Sequence, residues 1–192
     1  MGLEFEMKYR ATPEVLTQIG ADFPGVYTVM QMTTAYYDTP DGSLSARKWT
    51  LRCRQEDEAF VCTLKIPAAG GARGEWELEC DDIHAAIPVL AEQAGLPELV
   101  ELTKGGIENT CGARFVRRFR EMVIGKTVAE LALDQGVLTG GGKTAEFAEV
   151  ELELKEGNRE DVIRLASLLA ASYGLVQEPK SKVARARALR EG

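Results

Sequence analysis

Two stretches of the chain carry carboxylates two residues apart: Glu4 and Glu6 near the start, and Glu149, Glu151 and Glu153 toward the end. A spacing of two puts side chains on one face of a β-strand, so each stretch offers a row of oxygen donors. Arg52 and Arg54 repeat the spacing with positive charge, and Lys65 stands in the next apolar-rich segment. Any one such strand is an ordinary solvated sheet face. Their repetition with opposite signs implies more. If the sheet closes, these side chains share one interior, where carboxylates facing cations are tolerable once a ligand and metal ions complete the set. Carboxylates without a histidine or cysteine cluster favour a hard divalent cation, Mg²⁺ or Mn²⁺. Arginines at i and i+2 suit bidentate contacts to phosphate oxygens. Both sets in one cavity point to a polyphosphate ligand.

The elements that must position these groups are legible in the alternation. Leu3 to Arg10 alternates apolar and charged residues and predicts a strand. Thr12 and Pro13 read as the N-cap and first position of a short helix to Ile19. Val26 to Asp38 predicts a long strand ending in the turn signal Thr39-Pro40-Asp41-Gly42. Trp49 to Glu56 and Phe60 to Ile66 predict a hairpin turning at Asp57-Glu58, and Gly70-Gly71 marks a loop. Arg73 to Cys80 alternates again. Asp82 to Ala94 carries a helical pattern that includes His84, read as a surface or packed residue rather than a ligand. Strands follow over Ala113–Ile124, Val128–Gln135 and Phe147–Lys155, with a turn forced at Gly140-Gly141-Gly142. Arg159 to Tyr173 is an amphipathic helix stopped by Gly174, and Pro179 to Leu189 a short basic one. Many antiparallel strands with few helices predict an α+β fold with a barrel-like sheet. No internal repeat or long linker divides the chain, so residues 1–192 form one domain.

Composition sets the outer limits. The 192 residues are 45% hydrophobic and 28% charged, enough apolar content for a substantial core. A net charge of −7 argues against general nucleic-acid binding, which needs a net basic face. Cys53, Cys62, Cys80 and Cys111 form no CxxC pair, so reduced thiols are expected rather than disulfides or zinc. The charged N-terminus does not read as a signal peptide, and no apolar run is long enough to span a membrane. A cytoplasmic location is expected.

Seven ordered motifs give the chain a resemblance to the CYTH superfamily, the triphosphate tunnel metalloenzymes. They are Glu4-Phe5-Glu6-Met7-Lys8, similar to the ExExK signature, then Tyr36-Tyr37-Asp38-Thr39, Leu51-Arg52-Cys53-Arg54, Thr63-Leu64-Lys65, Arg73 with Glu75 and Glu77, Leu133-Asp134 with Glu149-Val150-Glu151-Leu152-Glu153, and Ser181-Lys182-x-x-Arg185-Ala186. The resemblance implies an eight-stranded antiparallel barrel, a tunnel with a polar charged interior, helices packed outside and a C-terminal basic helix. It implies that Glu4, Glu6, Glu149 and Glu151 hold two Mg²⁺ or Mn²⁺ ions, with Glu153 further along the face. Asp134 is either a metal ligand or the partner of an arginine. Lys8, Arg52, Arg54, Lys65, Arg73, Lys182 and Arg185 would bind the substrate, with Glu75 and Glu77 supporting. Either Arg117 or Arg118 would join them, since adjacent residues of a strand face opposite ways.

The implied reaction is in-line attack of a metal-activated water on the terminal phosphorus, with no covalent intermediate. The form of the arginine, lysine and C-terminal motifs most resembles the bacterial inorganic triphosphatase branch, which cuts tripolyphosphate to pyrophosphate and phosphate. The alternatives are a class IV adenylate cyclase, a thiamine triphosphatase, or a polyphosphate- or nucleotide-binding module without turnover. Bacterial members often carry a further helical domain, and none follows here, so a stand-alone enzyme on short soluble substrates is expected. The expected partner is the small triphosphate, with neither nucleic acid nor membrane, and a homodimer is compatible with an open-ended barrel.

Overall fold

The computed structural model describes the backbone of residues 2–68 and 73–191 and the side chains of residues 5–68 and 73–190. The loop expected at Gly70-Gly71 and the Glu4 side chain lie outside the described residues. The N-terminal alternation forms two strands, β1 (Gly2–Glu4) and β2 (Glu6–Arg10), interrupted at Phe5. Helix α1 (Pro13–Asp22) begins where Thr12 accepts a hydrogen bond from the Val15 amide, with Pro13 in the first turn. Strand β3 (Thr28–Asp38) leads into a four-residue helix, α2 (Ser43–Ala46), which alternation does not signal. The Asp38 carboxylate fixes that turn by accepting from the amides of Thr39, Leu44 and Ser45.

Strands β4 (Thr50–Glu56) and β5 (Ala59–Pro67) form the expected hairpin, and β6 (Arg73–Glu79) pairs with β5. Helix α3 (Ile83–Ala94) is capped by the Asp82 side chain, and a short α4 (Glu98–Thr103) follows. Strands β7 (Glu108–Ile124), β8 (Thr127–Gly140) and β9 (Lys143–Glu156) run longer than the alternation indicated. The β8–β9 hairpin turns at Gly141 and Gly142, with φ of 57° and 76°. Two consecutive left-handed residues twist with the flanking strands, so both ladders continue up to the turn. Helix α5 (Arg159–Tyr173), a two-residue strand β10 (Val176–Gln177) and helix α6 (Lys182–Glu191) complete the chain.

Among the described residues, ten strands form one sheet in the order β1-β6-β5-β4-β3-β7-β8-β9-β2-β10, and each neighbouring pair is antiparallel. This corrects the closed eight-stranded barrel. The hydrogen-bonded order is open, with β1 at one edge and β10 at the other; the break at Phe5 and the addition of β10 raise the count. The N-terminal stretch still touches both halves of the sheet, because β1 bonds to β6 and β2 bonds to β9. Its concave face is therefore lined by strands far apart in the order.

Three apolar clusters sort the helices. Leu131, Leu133, Val150 and Leu152 of the convex face pack under α1 and α5, through Leu16, Ile19, Val162 and Leu169. Leu51, Cys53, Cys62 and Leu64 pack on the same face under α3 and α4, through Ile87, Leu90 and Leu99. The third cluster joins Met32, Tyr36, Phe115, Leu138 and Phe147 to Val183 and Ala186 of α6. Phe115 shares strand parity with Arg117, and Phe147 with Glu149 and Glu151, so this cluster lies on the charged face. The expectation that helices pack outside thus holds for α1, α3, α4 and α5, whereas α6 packs on the concave side. Among the described residues, no helix is long and apolar enough to cross a membrane.

Candidate active site

The concave face encloses a cavity of about 330 Å³. Strand β4 shows how the sequence builds its wall. Leu51 and Cys53 turn outward into the apolar cluster beneath α3, which forces Arg52 and Arg54 inward. Lys8, Lys65, Arg73, Arg117 and Lys182 join them from β2, β5, β6, β7 and α6. Glu6, Glu75, Glu77, Glu151 and Glu153 line the same space. With Glu56, Glu130 and Lys155 added, eight basic and seven acidic side chains among the described residues face each other there. So balanced a lining cannot by itself neutralise a polyanion; further cations must enter with one.

The two ends of the cavity differ. On the β4–β6 side the Lys65 ammonium lies 3.0 Å from Glu75, but the arginine pairs are loose: Arg52 lies 3.5 Å from Glu75 and 3.6 Å from Glu77. The Arg52 Nε is buried with no hydrogen-bond acceptor among the described residues. Arg54 donates from Nε to the Thr34 hydroxyl at 3.1 Å. Burial, then the neighbouring Arg52 and Arg117 charges, push its guanidinium down to about 10. Crowded cations of this kind are stabilised by an anion.

On the β7–β9 side the charges are locked together. Arg117 donates to both oxygens of Asp134, at 2.8 and 2.7 Å, and to Glu151 at 2.5 Å. The Lys182 ammonium lies 2.8 Å from Asp134, 2.6 Å from Glu149 and 2.7 Å from Glu151. Burial works against the charged form of Lys182, but Asp134, Glu151 and Glu149 overcome it and hold the ammonium protonated far above its usual range. Burial would likewise raise the Glu151 carboxyl, yet Lys182, Arg117 and Lys8 hold it well below the usual carboxylate range. Asp134, Glu149 and Glu151 could hold a metal, their oxygens lying within 4.8 Å of one another. The Lys182 ammonium already sits among them.

A different carboxylate row faces the cavity. Glu6 of β2 stands opposite Glu153 of β9, which stands opposite Glu130 of β8. Like charges directly opposite across a sheet are destabilising unless a cation lies between them. Lys155 meets part of that need, 2.9 Å from Glu153 and 3.6 Å from Glu130. An all-oxygen set without histidine or sulfur fits a hard divalent cation.

The structure places the expected residues in three groups. Glu6, Lys8, Arg52, Arg54, Lys65, Arg73, Glu75, Glu77, Arg117, Glu151, Glu153 and Lys182 line the cavity. Asp134 and Glu149 are fully buried behind the lining, bound to the cations described. Arg118 and Arg185 stand elsewhere. Arg118 is opposite Leu133 on the convex side and reaches the Leu16 carbonyl of α1, whereas Arg117 is opposite Asp134. That register settles which of the two arginines faces inward. Arg185 pairs with Glu149 and Glu178 and lines a separate groove with Arg10 and Phe147. Glu130 and Lys155 were not foreseen, although strand parity with Asp134 and with Glu153 would have found both.

The CYTH domain profile matches residues 2–186. The chain belongs to the CYTH family. It is 28% identical to the inorganic triphosphatase of Haemophilus influenzae over an alignment of 192 positions that covers 95% of this chain and 53% of that protein. The chain thus spans about half the length of this curated relative. Among solved structures, a candidate adenylyl cyclase from Hippeastrum with a dominant triphosphatase activity superposes with a TM-score of 0.67 at 20% identity, covering 99% of this chain and 97% of that one. A Bacillus halodurans protein provisionally described as an adenylate cyclase gives a TM-score of 0.64 at 19% identity, with 95% and 96% covered. At such identities these two establish the CYTH-like fold alone.

Proposed function

We propose that the chain binds inorganic tripolyphosphate in the charged cavity, together with divalent cations, and hydrolyses it to pyrophosphate and phosphate. The observation that carries this reading is the pairing of a cationic wall, Arg52 with its acceptor-less Nε and the neighbouring Arg54, with a carboxylate row, Glu6, Glu130 and Glu153, across one cavity. The activity named for the Haemophilus relative supports it. Arg52, Arg54, Lys65 and Arg73 bind the phosphate oxygens, and Lys8 bridges toward the carboxylates. Glu6, Glu130 and Glu153, with Glu151 behind them, would hold Mg²⁺ or Mn²⁺. When bound, such a cation neutralises phosphate charge and makes a water acidic enough to attack at neutral pH.

The remaining roles fall to the chain's own groups. Lys182 and Arg117 keep Glu151 ionised and aimed, so that carboxylate carries no proton when substrate enters. The Arg52–Arg54 wall favours the charge that builds on the leaving pyrophosphate. Phosphate release from tripolyphosphate, ATP and thiamine triphosphate, each with Mg²⁺ or Mn²⁺, tests the proposal. Tripolyphosphate is expected to be cut fastest. Cyclic AMP as the main product from ATP would overturn the reading in favour of a cyclase.

A further inference from the structure

The innermost cations converge on one aromatic ring. Phe115, on β7, is 2% exposed and lies in the cluster beneath α6. The Lys182 ammonium stands 5.2 Å from its centroid, and the Arg54 and Arg117 guanidiniums stand 5.8 and 5.9 Å from it. Phe147 meets the ring edge-on, at 5.6 Å and 64°, and itself lies 5.4 Å from Lys182. An edge-on neighbour directs its positive rim at a negative ring face, which fixes the pair's orientation.

The backbone is shaped to seat this ring. Gly136 of β8 stands opposite Phe115, and a Cβ there would come within 2.5 Å of both Phe115 Cα and Cβ. Arg117 and Lys182 have carboxylates at 2.5–2.8 Å, whereas Arg54 reaches its partner Glu56 at 3.6 Å. Arg54 is therefore the cation that depends most on the ring. A negative ring face among three positive charges offsets their repulsion without supplying a carboxylate that would compete with phosphate.

We propose that Phe115 is a positioning residue, whose ring face holds Arg54, with Arg117 and Lys182, in the geometry that receives the substrate phosphates. The inference rests on the triphosphatase reading. Its test is a series in which Phe115 is replaced by 4-fluoro-, 3,5-difluoro- and 3,4,5-trifluorophenylalanine, with Phe115→Leu beside it. Each fluorine drains the ring face while nearly preserving its shape. KM for tripolyphosphate should rise stepwise, by about tenfold at the trifluoro ring, with kcat changed by less than about twofold. Monofluorination replaces one hydrogen and leaves the packing in place, so even that step must raise KM. A flat series on an active wild type, with only Phe115→Leu impaired, would reduce Phe115 to packing and overturn the inference alone. A wild type that neither binds nor cleaves tripolyphosphate overturns the functional reading and this role with it.

Discussion

Glu6, Glu149 and Glu153 look alike in the sequence, each a carboxylate in a period-two row, but their surroundings divide them. Glu6 and Glu153 face the cavity, whereas Glu149 is fully buried between Lys182 and Arg185. Glu6→Gln or Glu153→Gln is expected to cut cation-dependent turnover by about 100-fold or more while leaving the melting temperature nearly unchanged. Glu149→Gln is expected to do something different. It leaves the buried Lys182 and the half-buried Arg185 short of a counter-charge, at a cost of about 2–4 kcal/mol. A fall in melting temperature of about 5–15 °C would record it. Equal melting temperatures for the three variants would contradict the division. Glu151 adds a pH dependence whose sign is fixed. Its folded pKa is depressed, so its stabilising effect is complete above the unfolded value of about 4.3 and is lost as pH falls toward the folded value. Urea midpoints of the metal-free protein should drop between about pH 5 and pH 3. In Glu151→Gln that drop should be shallower; parallel curves would remove Glu151 as its source.

At the scale of elements, strands and amphipathic helices were legible because period two and period 3.6 write the core into the sequence. Arg159–Tyr173 and the β4–β5 hairpin emerge almost as expected for that reason. What alternation cannot report is which face of a sheet a helix will cover. Helix α6, Lys-Val-Ala-Arg-Ala-Arg-Ala-Leu-Arg-Glu, is too polar to announce a buried position. It packs on the concave side because Val183 and Ala186 meet an apolar patch there and Lys182 finds three carboxylates. The same blindness hid the Arg117–Arg118 choice, which only register resolves. Short elements held by side-chain caps or tertiary contacts, α2 and β10, carry no periodic signal at all. Gly136 tests the close strand packing behind the site. A Cβ there would sit 2.1 Å from the Arg114 carbonyl oxygen, so Gly136→Ala should lower the melting temperature by about 5 °C or more. An unchanged melting temperature would mean that the ladder yields there without cost.

For the whole molecule, a net charge of −7 coexists with a cavity whose opposed charges, among the described residues, almost balance. An anion entering alone would meet Glu6, Glu130 and Glu153 as well as the arginines; with a divalent cation it meets complementary charge on both sides. The open ten-stranded order brings these groups together by letting one N-terminal stretch bond to β6 and β9 at once. The proposed reaction is cation-dependent hydrolysis within this cavity. A phosphorus NMR time course of tripolyphosphate, run with Mg²⁺ and again with excess chelator, tests it most directly. One pyrophosphate and one phosphate per tripolyphosphate, with the reaction silenced by the chelator, is the predicted result. Equal rates with and without chelator, or an intact tripolyphosphate signal in the presence of either Mg²⁺ or Mn²⁺, would contradict it.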